Sequence, residues 1–102
     1  MDKFERNIQS CLNKIKNPDH KKELEEYLQI RNTIDKVKKS TQENDIYSLL
    51  KLSTFLNDKS FLKATQKDMM DFDNWLRNSI GHDSASLMEA RIKRYYKYLF
   101  NK

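Results

Sequence analysis

The 102-residue sequence predicts an all-α fold, a compact bundle of four to five short helices. It holds one Gly and one Pro, too few for the tight turns of an all-β domain. Val occurs once among 24 Leu, Ile, Val and Phe residues, beside abundant Leu, Lys, Glu and Asn, which points the same way. Apolar residues also return every three or four positions along most of the chain, the period of a helix that buries one face. At about 24% of the chain, the large aliphatic and Phe residues exceed the roughly 20% below which chains tend to stay disordered. One thin core is therefore expected, because a domain of this size buries only about 60–70% of its unfolded surface.

The first helix is set by Phe4, Ile8, Cys11, Leu12 and Ile15 on one face. Asn17-Pro18 ends it and opens the next, with Asn17 as N-cap and Pro18 at the first helical position. Leu24, Tyr27, Leu28, Ile30 and Ile34 give a second helix of lower regularity that fades near Val37-Lys38-Lys39. Ser40 with Glu43 reads as a capping box for the third helix, and Thr41 with Asn44 is a rival shifted by one residue. Ile46, Leu49, Leu50, Leu52, Phe55 and Leu56 form its inward face, and Asn57-Asp58-Lys59-Ser60 ends it. Thr65 with Asp68 opens a fourth helix carrying Met69, Phe72, Trp75, Leu76 and Ile80, which Gly81 stops. The last helix is expected to start at Ser84 or Ser86, with Met88, Ile92, Tyr95, Tyr96 and Leu99 inward.

Composition excludes several classes of function. One cysteine, Cys11, gives no intrachain disulfide framework and no thiolate zinc site, so nothing suggests secretion. The charged opening Asp2-Lys3-Phe4-Glu5-Arg6 lacks the apolar stretch of a signal peptide, and no apolar run approaches the ~18 residues of a membrane span. A lone Gly81 rules out Gly-rich phosphate loops. An intracellular protein without cofactor, membrane partner or small-molecule substrate is the class expected.

Charge is distributed unevenly. Residues 1–35 are net zero, residues 36–63 net +3, residues 64–83 net −2 and residues 84–102 net +4, so two segments carry the excess of a chain whose net charge is +5. Such clustering is the footprint of a polyanion binder. In the first basic segment, Lys38, Lys39, Ser40, Thr41 and Asn44 surround a helix N-terminus, where exposed N–H groups and the positive dipole end suit phosphate. In the second, Lys93, Arg94 and Lys97 lie away from the apolar stripe and Arg91 flanks it. A capped helix with a solvated basic loop would explain the first patch alone; the second tips the balance toward a binding surface.

No catalytic centre can be assembled from the remaining reactive side chains. His20 and His82 have no second ligand at metal-binding spacing and are expected to be solvated. Cys11 belongs to an apolar face and reads as a small hydrophobe. Tyr95 and Tyr96 fall on the inward stripe and Trp75 sits with Met69, Met70 and Phe72, so all read as core.

From about Leu24 to Leu99 the sequence resembles the core-binding domain, a small SAM-like helical domain, of the tyrosine recombinase or phage integrase family, with a flavour of its archaeal and viral members. The residues that carry the resemblance are Lys39-Ser40-Thr41, Tyr47, Leu50, Phe55-Leu56, Thr65, Asp68, Phe72, Leu76, Ser84 and the run from Ile92 to Leu99. Two departures stand out: Val37-Lys38-Lys39 replaces the family's small-residue turn, and Ser86-Leu87 stands where a Thr is expected. The family's spaced arginines, His-x-x-Arg motif and tyrosine nucleophile have no counterpart, so no catalytic residue carries over.

The resemblance implies an N-terminal extension over residues 1–17 and a DNA-binding core-binding domain over residues 18–102 of an otherwise absent recombinase. It implies a clamp on double-stranded DNA that positions a catalytic domain of the same parent chain, alongside other recombinase subunits, during integration or recombination in a prokaryotic cytoplasm. The DNA-contacting segments it implies are the start of the third helix and the outward face of the last. Charge selects the same two segments. The different-class alternative is a helical interaction module whose basic faces dock an acidic protein.

Overall fold

The structure is a computed structural model that describes residues 2–102. Its elements run α1 (Lys3–Asn13), α2 (Pro18–Thr33), α3 (Lys39–Leu56), a 3-10 turn (Phe61–Lys63), α4 (Gln66–Ile80) and α5 (His82–Asn101), with no strand among the described residues. The expected all-α class with five helices is what forms. No helix among the described residues is long and apolar enough to cross a membrane.

Each helix boundary has a local cause. Asp2 caps α1 by accepting from the Glu5 amide at 2.8 Å. Asn17 caps α2, accepting from the amides of Asp19 and His20, with Pro18 in the first turn. Thr65 and Asp68 form the reciprocal capping box of α4. Gly81, at φ +88°, ends α4 and turns the chain directly into α5, a backbone conformation that a residue with a Cβ adopts only under strain.

Two starts differ from expectation. Neither the Ser40–Glu43 nor the Thr41–Asn44 box forms; α3 begins at Lys39, with Lys38 at the N-cap and no side chain capping it. Tertiary bonds fix this turn instead. The Gln42 amide group donates to Val37 O at 2.8 Å and to Asn32 Oδ1 at 3.2 Å, while the Val37 amide donates back to Arg31 O. Lys36, at φ +52°, supplies the left-handed step that this path needs. Likewise α5 starts at His82, ahead of Ser84 and Ser86, because one glycine suffices for the reversal and Arg77 of α4 meets the His82 ring and carbonyl across it.

α3 is the central element. α1 packs against it and contributes Leu12 to the common core, and Ile15, just past the end of α1, joins the same core. α2 and α5 also pack against α3, and α4 lies along α5. The floor of the core is Leu24, Ile46, Leu49, Leu52, Phe61, Leu76 and Tyr95, all fully buried. Tyr27, Tyr95 and Tyr98 form an aromatic cluster with ring centroids 4.9–6.2 Å apart, and Phe55, Phe72 and Trp75 form a second at 5.5–5.8 Å. Ile34 is an exception to the expected apolar face: it follows α2 and is 71% exposed, because the chain has already turned away there.

His20 also departs from expectation. It is buried, not solvated, because its ring bridges two elements: Nδ1 lies 2.7 Å from Ser53 Oγ and Nε2 2.8 Å from Lys59 O. Since a carbonyl only accepts, Nε2 carries the proton and Nδ1 accepts from the serine hydroxyl. The ring stacks on Phe61 at 4.1 Å, pinning the start of α2 to the turn after α3.

Candidate nucleic-acid interface

At the start of α3, the first amides, which lack intrahelical acceptors as in any helix, have no capping side chain to accept from them either. Lys38, Lys39, Ser40 and Asn44 are exposed around this end and Thr41 is half-buried. Lys39 is already partnered within the chain. Its Nζ lies 3.5 Å from the Asp2 carboxylate and 5.4 Å from the centre of the Phe4 ring, because α1 brings its own N-terminus alongside.

On α5, Lys93, Arg94 and Lys97 are exposed and Arg91 is half-buried. Arg94 is not simply outward. Its Nη1 approaches Asp45 Oδ1 at 3.6 Å, while Arg31 of α2 holds Oδ2 of the same carboxylate at 3.1 Å. Asp45 is buried, its side chain 2% exposed, and two guanidiniums are what make a charge tolerable there. Among the described residues, Lys38, Arg91, Lys93 and Lys97 form no ion pair and keep their charge available for a partner.

Asp45 also connects the two patches. It lies seven positions after Lys38, two helical turns along the same stripe of α3, so Arg94 meets the stripe that begins at Lys38. Two turns amount to about 10 Å of helix. Lys97, one turn beyond Arg94, joins Arg31, Arg94 and Lys102 around an open groove of about 1000 Å³ between α2 and α5, walled by Tyr27 and Tyr98. Burial pushes the Tyr27 hydroxyl above its ordinary pKa, with Arg31 pulling the other way. Glu26 and Asp35 temper the groove; they pair with Lys102 at 3.7 Å and Arg31 at 3.5 Å.

Sequence reasoning missed Arg31, Lys102 and Asp45. The signal for Asp45 was present: it falls on the stripe of Leu49, Leu52 and Leu56, where a carboxylate implies a buried cationic partner. Arg31 was hidden inside a segment of zero net charge.

The other candidate groups take structural places. Cys11 is half-buried against the core, and burial raises its thiol above the ordinary value. Tyr95 is fully buried, and Tyr96 donates its hydroxyl to Phe61 O at 2.8 Å, its own ionisation pushed up to about 12 by burial. No group of three or more His, Cys, Asp or Glu among the described residues is placed to hold a metal ion. No family model, no curated protein and no solved structure matches the chain.

Proposed function

We propose that this chain is a non-catalytic module that binds the phosphate backbone of double-stranded DNA through the start of α3 and the outward face of α5. The observation that carries the reading is the uncapped α3 N-terminus, which has Lys38 at its N-cap and Lys39 beside it and shares a stripe with the Asp45–Arg94 pair of α5. Unsatisfied amides and a positive dipole end attract a phosphate, and neighbouring lysines add point charges. Lys93 and Lys97 then extend the contact along α5, and Ser40, Thr41 and Asn44 supply hydrogen-bonding groups at the same end of α3. Arg94 acts mainly by joining the two elements.

In this reading the chain is the core-binding part of a tyrosine recombinase or integrase, and strand cleavage and joining belong to a catalytic domain elsewhere in the parent protein. Partner subunits would assemble on the same DNA, in a prokaryotic cell and at its nucleoid. Support comes from the sequence resemblance and from two basic segments that meet through α3 rather than lie apart. Titration of a mixed-sequence duplex near 50 mM salt tests it. The Lys38→Gln/Lys39→Gln variant is expected to bind every duplex more weakly, because phosphate contacts do not depend on sequence. Equal affinity of the variant and the parent chain would overturn the reading.

A further inference from the structure

The face of α5 turned toward α4 carries a second surface, different in chemistry from the first. Met69 and Phe72 of α4 and Ile92, Tyr96 and Phe100 of α5 line a groove of about 470 Å³. Phe100 is 71% exposed, its ring stacked on Tyr96 with centroids 6.0 Å apart. Phe100 extends the apolar lining of the groove outward from its buried floor of Phe72 and Ile92. Lys93 and Lys97, one turn apart on α5, border the groove without an ion pair among the described residues. Its single carboxylate, Glu89, sits at one end and is engaged by Arg77 at 3.4 Å. From Glu89 to Phe100 the groove follows α5 for about three turns, roughly 16 Å.

We infer that this groove seats an acidic amphipathic helix of a partner protein. An apolar floor three turns long matches a helix that presents anchors at i, i+4 and i+7, the common helix-in-groove mode. The two lysines on the rim select a helix whose flanking positions are Glu or Asp. The groove shares Lys93 and Lys97 with the proposed DNA surface but not Phe100 or the start of α3, so the two surfaces can be tested separately.

Three designed helical peptides of about sixteen residues, long enough to span the groove, provide the probe. They carry the same Leu stripe and differ only in Glu, Gln or Lys at the flanking positions. The Glu-flanked peptide is expected to bind about fivefold more tightly than the Gln-flanked one, the effect of two exposed ion pairs, and the Lys-flanked one most weakly. Lys93→Gln/Lys97→Gln should abolish that ranking, and Phe100→Ala, a change at an exposed position, should weaken all three by about tenfold. Phe100→Ala should leave duplex affinity unchanged, and Lys38→Gln/Lys39→Gln should leave peptide affinity unchanged. Duplex binding that fails while the peptide ranking holds would remove the DNA reading and leave this one standing. The inference is overturned if no peptide binds, if the three bind equally, or if the chain self-associates in a way that Phe100→Ala abolishes, which would assign the groove to a second copy.

Discussion

Asp45 is buried on α3 with Arg31 and Arg94 closing on its two oxygens, at 3.1 and 3.6 Å, and the two arginines are unequal. Arg31 has a side chain 12% exposed, whereas that of Arg94 is 47% exposed. Asp45→Ala therefore leaves a nearly buried guanidinium with only the more exposed Asp35 at 3.5 Å, an expected loss toward the lower end of about 3–5 kcal/mol in urea unfolding. Arg94→Gln should cost no more than about 1 kcal/mol, because water screens the exposed end of the pair. Asp68 gives a pH test. The Lys59 ammonium at 2.8 Å and the Thr65 amide at 2.8 Å hold its carboxyl down to about 2, below the ordinary 3.8. A depressed carboxylate contributes stability that is present above pH 4 and is lost as pH falls toward 2. Acid unfolding followed by circular dichroism should show a shallower fall between pH 4 and pH 2 for Asp68→Asn than for the parent chain; identical slopes would contradict the pairing. His20 shows what single residues conceal. Its partners Ser53 and Lys59 lie 33 and 39 positions away, so no local pattern marks it as buried.

At the scale of elements, what was legible followed local chemistry. Asn17-Pro18 opens α2, Thr65-x-x-Asp68 opens α4 and Gly81 ends it where the sequence places them, although α1 already ends at Asn13, ahead of the expected stop at Asn17-Pro18. The start of α3 was misread because Ser40 and Thr41 are good caps whose role was displaced by Gln42 and its bonds to α2. That displacement has a testable consequence. Lys38 has extended backbone angles, φ −57° and ψ 147°, that suit a capping side chain it does not possess. Lys38→Asp is therefore expected to raise stability by about 1 kcal/mol by capping α3. The same change should lower duplex affinity, because the new carboxylate occupies the amides and repels phosphate. An affinity that rises or stays level along with the stability would separate the helix end from DNA binding. By contrast, Thr65→Ala removes a cap already in use and should cost about 1 kcal/mol.

Across the whole molecule, the helices pack into a body of 37 × 28 × 24 Å around α3, and that placement turns two sequence-distant basic segments into neighbours. Charge counting identified both segments but not their meeting, which depends on Arg31, a residue in a segment of no net charge, and on a carboxylate inside the core. Nor could counting tell cations already paired, Lys39 and Arg94, from Lys38, Arg91, Lys93 and Lys97, which form no ion pair among the described residues. The distinction sets the size of the electrostatic signal. Each phosphate neutralised contributes about −0.9 to the slope of log affinity against log salt. The four unpaired cations give an expected slope of about −3.6 on a mixed-sequence duplex. The most direct measurement is that slope for the parent chain and for Lys38→Gln/Lys93→Gln/Lys97→Gln, with folding checked by circular dichroism. A slope of about −3.6 is expected for the parent chain, flattening to about −0.9 in the variant. Negligible affinity near 50 mM salt, or a slope that ignores all three lysines, would contradict the DNA reading.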